Sequence, residues 1–385
     1  MKLMILPSWY PNKYNPGAGI FIKNQAEQIA SSEIEITVLG GVPVSFLHML
    51  KYVFRDKKKF KKSTIIHERL IFSINIPYFV SINLIISYLL GLILFQIEKA
   101  RQGLPDLIHV HTFNQGLLAL FINKRYSIPI VVTEHFTKLL EKSNLTNYEL
   151  KLLNKLYTVS NYNIAVSKYY ANFLDRNYGF KFHAIPNYIE PESFSVEPIS
   201  NEDKSLRILS VGTLKQDKGM HLILEALQLL CESGINANVK IIGSGKEDKN
   251  LVQQAKVMQL ENRVQFISHI PNNQIPIFYQ QSSVLVSASR HETFGITMLE
   301  AISCGIPVIS TSEAPKEFII DGFSGFNVDR NAQALAEALE KLFSTRFDRI
   351  AMHDFVCEKY SSKVIVAKLR DLYSTYKQPK EIHIQ

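Results

Sequence analysis

Residues Ser287 to Thr311 read SASRHETFGITMLEAISCGIPVIST, and this stretch decides the fold. Two carboxylates, Glu292 and Glu300, stand with seven residues between them, and Phe294-Gly295 sits inside that interval. Just upstream, Val284-Leu285-Val286 is a short apolar run suited to a parallel strand buried on both faces, and Ser287 to Glu292 is the polar loop at its carboxyl end. Gly295 permits close backbone approach at a helix entry. Met298, Leu299, Ala301 and Ile302 make that helix apolar, and Gly305 followed by Pro307 stops it before a β-branched run. Strand, turn, helix and strand in this order form one unit of an α/β fold.

Glu300 falls in the second turn of this helix, where two readings stand side by side. It is either the solvent-facing position of an amphipathic helix, or an acceptor for the paired hydroxyls of a ligand such as a ribose. In the second reading the amides of Phe294, Gly295 and Ile296 face a phosphate at the helix N-terminus.

The string HETFGITMLEAISCGIPVIST resembles the signature region of the retaining, nucleotide-sugar-dependent glycosyltransferases of family 4. Their pattern is Glu, seven residues containing Phe-Gly, Glu, then Ala and Cys-Gly-x-Pro-Val. The resemblance implies a GT-B architecture: two Rossmann-like, doubly wound α/β domains facing across a cleft. It also implies that Glu300 holds the donor ribose and Glu292 faces the donor sugar. The amides of Phe294, Gly295 and Ile296 are then donor-binding groups.

Other stretches extend the resemblance over nearly the whole chain. The loop Asn15-Pro16-Gly17-Ala18-Gly19 lies between a first strand, Lys2 to Leu6, and a helix from Ile20, where α/β sheets bind ligands; the family implies a donor-side role for Gly19. Leu107 to Val110, in Asp106-Leu107-Ile108-His109-Val110-His111, is a further strand, and the two histidines point the same way with His111 at the carboxyl end. By resemblance His111 lies near the transferred sugar, and His109 is structural. Pro186-Asn187-Tyr188-Ile189 matches the family's interdomain junction with Tyr188 in place of Gly. In Val211-Gly212-Thr213-Leu214-Lys215-Gln216-Asp217-Lys218-Gly219, Lys218 precedes a helix and the family places it on the donor diphosphate. Thr213 stands where an Arg is common, and Lys215 is the cation that could compensate.

Length and composition agree with two domains. The chain has 385 residues, 46% hydrophobic and 20% charged, enough for two cores. The expected division is residues 1–190 for the first domain, 191–205 for a polar linker, 206–360 for the nucleotide-sugar domain, and 361–385 for a helix crossing back. Cys231, Cys304 and Cys357 form no CxxC pair and no cleavable leader opens the chain, which predicts a reduced, cytoplasmic protein. Gly243-Ser244-Gly245 fails as a dinucleotide fingerprint because Asp248 occupies the third glycine position, and no Walker motif fits.

A net charge of +8 points to an anionic partner. Lys51 to Lys62, KYVFRDKKKFKK, is either a solvated segment or a patch for an anionic membrane surface, and no nucleic-acid motif accompanies it. The stretch Ile74 to Ile97 is the most apolar, and Pro77, Ser81, Asn83 and Ser87 within it favour a buried or interfacial helix over a spanning one.

The expected activity is therefore a metal-independent, hexosyltransferase-like transfer from a nucleotide diphosphate sugar to a hydroxyl of a glycan or lipid-linked acceptor. It needs no cofactor, serves polysaccharide biosynthesis, and takes place in the cytoplasm or at the inner face of the membrane. Rival readings are a GT-B epimerase or phosphorylase, and a non-catalytic nucleotide-sugar-binding or scaffold protein.

Overall fold

The structure is a computed structural model that describes residues 1–12, 17–44, 66–74, 76, 79–141, 144–197, 205–268 and 270–376. The basic run Lys51 to Lys62, Asn15 and Pro16 of the first loop, Pro77, and Pro198 of the linker lie outside the described residues. The chain divides into two compact units, residues 1–185 joined by 366–385, and residues 186–365. The change of unit falls between Ile185 and Pro186, at the Pro-Asn junction, rather than after Glu190.

The first unit contains a seven-stranded parallel sheet in the order β3-β2-β1-β4-β5-β6-β7. Its strands are β1 (Lys2–Pro7), β2 (Glu35–Val44), β3 (Ile66–Ile74), β4 (Leu107–His111), β5 (Ile130–Glu134), β6 (Tyr162–Ala165) and β7 (His183–Ala184). The central strands β1, β4 and β5 are buried almost throughout, as continuous apolar runs in a two-sided parallel sheet must be. Met4 pairs with Ile108, and Ile108 with Ile130, so the first strand and the His-x-His strand lie side by side.

The strand β3 is not expected from the sequence, and β2 runs past Leu39 through Gly40-Gly41 and Pro43. Beyond Val38, β2 pairs only with β3 among the described residues, in a register reaching Val44 opposite Ile74. A proline is tolerated there because one edge of the strand has no ladder to feed.

The second unit contains a six-stranded parallel sheet in the order β10-β9-β8-β11-β12-β13. Its strands are β8 (Leu206–Val211), β9 (Ala237–Ile242), β10 (Val264–Ile267), β11 (Val284–Ser287), β12 (Val308–Ser310) and β13 (Gly325–Asn327). Ile208, Val239 and Val284 of the sheet pack with Leu224, Leu227 and Leu339 of the flanking helices in one apolar core.

In both sheets the strand order reverses beside the first strand, between β1 and β4 and between β8 and β11. A doubly wound sheet opens a crevice at such a reversal, at the carboxyl ends of the strands, because successive crossover helices depart to opposite faces. Each of the sequence-predicted site residues follows or ends one of these four strands.

The outgoing and returning chain segments are stitched together within the second unit. Ile189 donates to the Tyr360 carbonyl at 3.1 Å, Ser362 donates to the Ile189 carbonyl at 3.1 Å, and the Ser362 hydroxyl donates to Glu190 at 2.7 Å. The last helix, Ser362–Ser374, starts in the second unit and finishes in the first, where the Tyr373 hydroxyl meets His109 Nδ1 at 2.7 Å. The apolar stretch around residue 90 forms the helix Val80–Gln102, packed by one face against β2 and β3.

Candidate active site

The second unit builds its site from two loops pressed together at the β8/β11 reversal. After β8 the chain reaches Gly219, the N-cap of helix Met220–Glu232, with φ 68. A Cβ on Gly219 would lie 2.2 Å from the Ala288 carbonyl oxygen, so only glycine allows the post-β8 loop to rest on the post-β11 loop. Arg290 donates its amide to the Asp217 carbonyl at 2.8 Å, and Arg330 Nε reaches the Ala288 carbonyl at 2.9 Å. The effect is to set Lys218 Nζ 2.5 Å from Glu292 Oε1. Residues 74 positions apart in sequence thus form a cation-carboxylate pair at the carboxyl edge of the sheet.

Gly243 and Gly245 serve a related close packing. A Cβ on either would lie within 1.8 Å and 2.1 Å of the Gly212 and Leu214 carbonyl oxygens, so both glycines exist to seat the post-β8 loop against its neighbour. Thr213 and Lys215 are both exposed on that loop. Arg330, which the sequence reading did not single out, reaches both loops through the Ala288 and Gln216 carbonyls; burial, and Arg290 nearby, press its guanidinium below the usual range.

One turn further on, Gly295 caps the helix Ile296–Ser303 with φ 99 and no side-chain cap. Among the described residues the amides of Phe294, Gly295 and Ile296 donate no hydrogen bond, and such amides at a helix start favour an anion. The Phe294 ring is buried against Phe318 at a centroid distance of 5.3 Å, so only its backbone is available to a ligand.

Glu300 on this helix is not a plain surface residue. The buried Tyr279, from helix Ile275–Gln280, donates its hydroxyl to Glu300 Oε2 at 2.7 Å. Burial pushes the Glu300 carboxyl up to about 7, with the Tyr279 hydrogen bond pulling the other way. Cys304 one turn later is buried and its thiol is pushed up to about 12, which makes it inert packing rather than a nucleophile.

The first unit builds its cluster at the β1/β4 reversal. Gly19 caps helix Ile20–Ile29 with φ 64, and a Cβ there would lie 2.4 Å from the Trp9 carbonyl oxygen. Phe21 of that helix packs on His135 at 4.8 Å between ring centroids, and His135 Nε2 meets His111 Nδ1 at 3.0 Å. His109 bonds Thr133 at 2.7 Å through its other ring nitrogen, completing a span from Tyr373 to β5. Burial pushes His109 and His135 down to about 3, and lowers His111 as well, so all three rings are neutral at physiological pH.

This geometry sets His111 beside a further histidine that the motif did not include, His135. The His111 side chain is 0% exposed, and its Nε2 is buried with no hydrogen-bond partner among the described residues; His135, directly after β5, is partly exposed and rests on it. His135 could have been found as the polar residue at the carboxyl end of β5. Behind the histidines, Thr112 is held at φ 69 and ψ 151, a conformation that costs a non-glycine residue on the order of 1–3 kcal/mol. Its hydroxyl bonds Ser8 at 2.5 Å, and Glu134 clamps the next turn by accepting from the Phe113 amide and the Tyr157 hydroxyl, each at 2.7 Å. Burial pushes Glu134 up to about 8. Among the described residues no group of three or more His, Cys, Asp or Glu side chains is arranged to hold a metal ion.

Comparison with known proteins agrees with this architecture. The model for glycosyl transferases group 1 matches residues 193–355, and that for glycosyltransferase family 4 matches residues 17–193. An uncharacterized glycosyltransferase of Methanocaldococcus jannaschii is 28% identical over 86% of this chain and 85% of its own length. A capsular polysaccharide biosynthesis glycosyltransferase of Staphylococcus aureus is 27% identical over 51% of this chain and 54% of its own. The structure of an Anabaena protein in complex with UDP superposes with a TM-score of 0.74 at 18% identity, covering 97% of this chain and all of that one. With its two matched regions meeting at residue 193 and GT-B proteins as its structural neighbours, the chain belongs to the family 4, group 1 glycosyltransferases and is a glycosyltransferase of the GT-B fold.

Proposed function

We propose that this chain is a retaining glycosyltransferase that moves a sugar from a nucleoside diphosphate sugar to a hydroxyl of a glycan or lipid-linked acceptor, in the assembly of a cell-surface polysaccharide. The observation that carries this reading is the grouping of Lys218, Glu292, the open amides before Ile296, and Glu300 at one strand reversal. The capsular relative and the UDP-bound neighbour support the acceptor and donor classes respectively.

The chemistry asks for these groups. The bond between the anomeric carbon and a diphosphate oxygen breaks, an acceptor oxygen replaces it on the same face, and the acceptor proton leaves with the diphosphate or solvent. Negative charge grows on the diphosphate while the sugar gains oxocarbenium character, so cations and oriented amides at the phosphates lower the barrier. Lys218 and the Phe294 to Ile296 amides serve the diphosphate. Glu300 accepts from the ribose diol, and Glu292 steers Lys218 and faces the sugar. His111, whose Nε2 has no partner among the described residues, takes the sugar-side role, and His135 packs on its ring. In this reading Lys218 and the oriented amides supply the charge stabilisation without a resident metal.

A thermal-shift screen against UDP, GDP and ADP and their sugars tests the donor site, because a ligand that binds only the folded state raises the melting point. At least one nucleotide must do so. Protein that binds a nucleotide sugar but neither transfers nor hydrolyses it, with Glu292→Ala leaving cellular glycan output intact, would sink the catalytic reading.

A further inference from the structure

The helix Val80–Gln102 breaks the usual pattern of a helix on a sheet. Leu84, Ser87, Gly91, Phe95 and Glu98 are its buried residues, and they recur every three or four positions as one face must. That face is fitted to the fold: a Cβ on Gly91 would lie 2.8 Å from Leu118, Ser87 accepts from Gln115 at 3.3 Å, and Glu98 holds Arg69 at 2.8 Å. The opposite face should be polar. Instead Ile82, Ile85, Leu89, Ile93 and Ile97 are each 43–56% exposed, and Phe79 at the N-cap is 55% exposed.

The stripe ends in positive charge. Lys99 and Arg101 occupy the last turn, and Lys99 and Arg125 both lie against the Tyr126 ring, at 5.1 Å and 5.3 Å from its centroid. The acidic residue of this region, Glu98, is buried and paired. In sequence, Lys51 to Lys62 adds seven Lys or Arg against one Asp before the same helix.

We propose that the outer face of helix Val80–Gln102 docks on an anionic lipid bilayer, the helix lying along the interface with its isoleucines among the acyl chains and its C-terminal cations at the headgroups. The inference deepens the lipid-linked acceptor in the proposed function and rests on that reading only there. The helix is long and apolar enough to cross a membrane, but it is the crossover between β3 and β4 and keeps its other face on the sheet, which makes it interfacial. A second copy of the chain is the weaker occupant. From Ile82 to Ile97 the stripe is about 22 Å long and one helix face wide, on the order of 200 Å², against roughly 800 Å² per partner in a stable interface. A bilayer needs only one such face together with attraction to anionic headgroups.

The test compares the full chain with its Ile85→Gln, Leu89→Gln, Ile93→Gln variant. All three sites are exposed, so the fold is retained. Co-sedimentation is measured with vesicles of phosphatidylcholine alone and with added phosphatidylglycerol, and each protein is also put through the nucleotide thermal-shift screen. Wild type is expected to pellet with the anionic vesicles, the triple variant to bind at least about tenfold more weakly, and the two to show the same nucleotide shift. Leu89→Trp should bring a fluorophore within reach of brominated acyl chains. The proposal is overturned if wild type stays in the supernatant, if the triple variant pellets equally, or if light scattering shows the substitutions turning a dimer into a monomer. Absence of a nucleotide shift in both proteins would instead strike the proposed function and leave the docking result standing.

Discussion

Tyr279→Phe is the sharpest probe of the nucleotide end of the site. The phenol donates to Glu300 Oε2 at 2.7 Å, and burial pushes that carboxyl up to about 7. A ribose diol donates two hydrogens, so the ribose role of Glu300 requires the ionised form. The folded state holds its proton from about 4.5 up to about 7, where an unfolded chain has already lost it. Glu300 therefore contributes less to stability as pH rises through this window. Donor binding runs the other way: each pH unit below about 7 weakens it about tenfold, and above that it levels off.

Removing the phenol oxygen withdraws a hydrogen bond to a charged acceptor, worth about 1.5–3 kcal/mol. Taking the low end, the carboxyl climbs about one further pH unit. At pH near 7 the ionised fraction then drops from about a half to about a tenth, a roughly fivefold loss of donor affinity; at pH near 9 the two proteins bind within about 10% of each other. Calorimetric titration of the stabilising nucleoside diphosphate across this range, in two buffers of different ionisation enthalpy, reads both the affinity and the proton released. Phenylalanine fills the same volume, so the fold is kept. A loss of equal size at every pH would refute the reasoning, since the hydrogen bond would then not act through Glu300 ionisation.

Three further outcomes follow from the geometry. Lys218→Ala should lower kcat/KM by about tenfold to a hundredfold, the value of a charge-assisted hydrogen bond to phosphate, with Lys218→Arg retaining more activity; steady-state kinetics at saturating acceptor decide it. Gly19→Ala places a Cβ 2.4 Å from the Trp9 carbonyl oxygen at φ 64, and should cost on the order of 1–3 kcal/mol in urea unfolding of the first unit. Tyr373→Phe leaves His109 Nδ1 buried without its 2.7 Å partner, and should cost about 1–3 kcal/mol in the same assay while sparing nucleotide binding, because the last helix is tied to β4 through that bond.

Much of the fold was legible because its signals are local. Val284 to Val286 read as a buried parallel strand, Leu107 to Val110 as a strand, and Gly305 with Pro307 as a helix stop; each rests on residue types a few positions apart. Strand β3 escaped because Ile66 to Ile74 carries His67, Glu68 and Arg69, and its pairing with β2 lies at the edge of the sheet. Lys218, Glu292 and Glu300 were legible by motif, but their neighbours were not. Tyr279 lies 21 residues from Glu300, Arg330 lies 42 from Ala288, and His135 lies 24 from His111, distances at which only the sheet order decides contact. The same limit hid His135: period-two alternation aligned His109 with His111, yet could not say that the chain after β5 would lay another ring on His111.

The helices at the two strand reversals share one kind of start, a left-handed glycine in place of a side-chain cap. Helices starting at Asn147, Lys168, Ala332 and Arg349 are capped by the side chains of Thr146, Ser167, Asn331 and Asp348, each accepting a first-turn amide. Such a cap contributes about 1 kcal/mol. Helices starting at Ile20, Met220 and Ile296, all at the two strand reversals, forgo it and begin on left-handed glycines. Close packing forces two of these glycines directly, since a Cβ would strike the Trp9 or Ala288 carbonyl oxygen, and φ 99 forces the third. The first-turn amides thereby left without a side-chain acceptor are the donors an anionic ligand would meet. In the Ser287 to Thr311 stretch the fold thus gives up cap stability at the helix that follows Glu292, and a bound diphosphate is the group whose charge and oxygen count can return it.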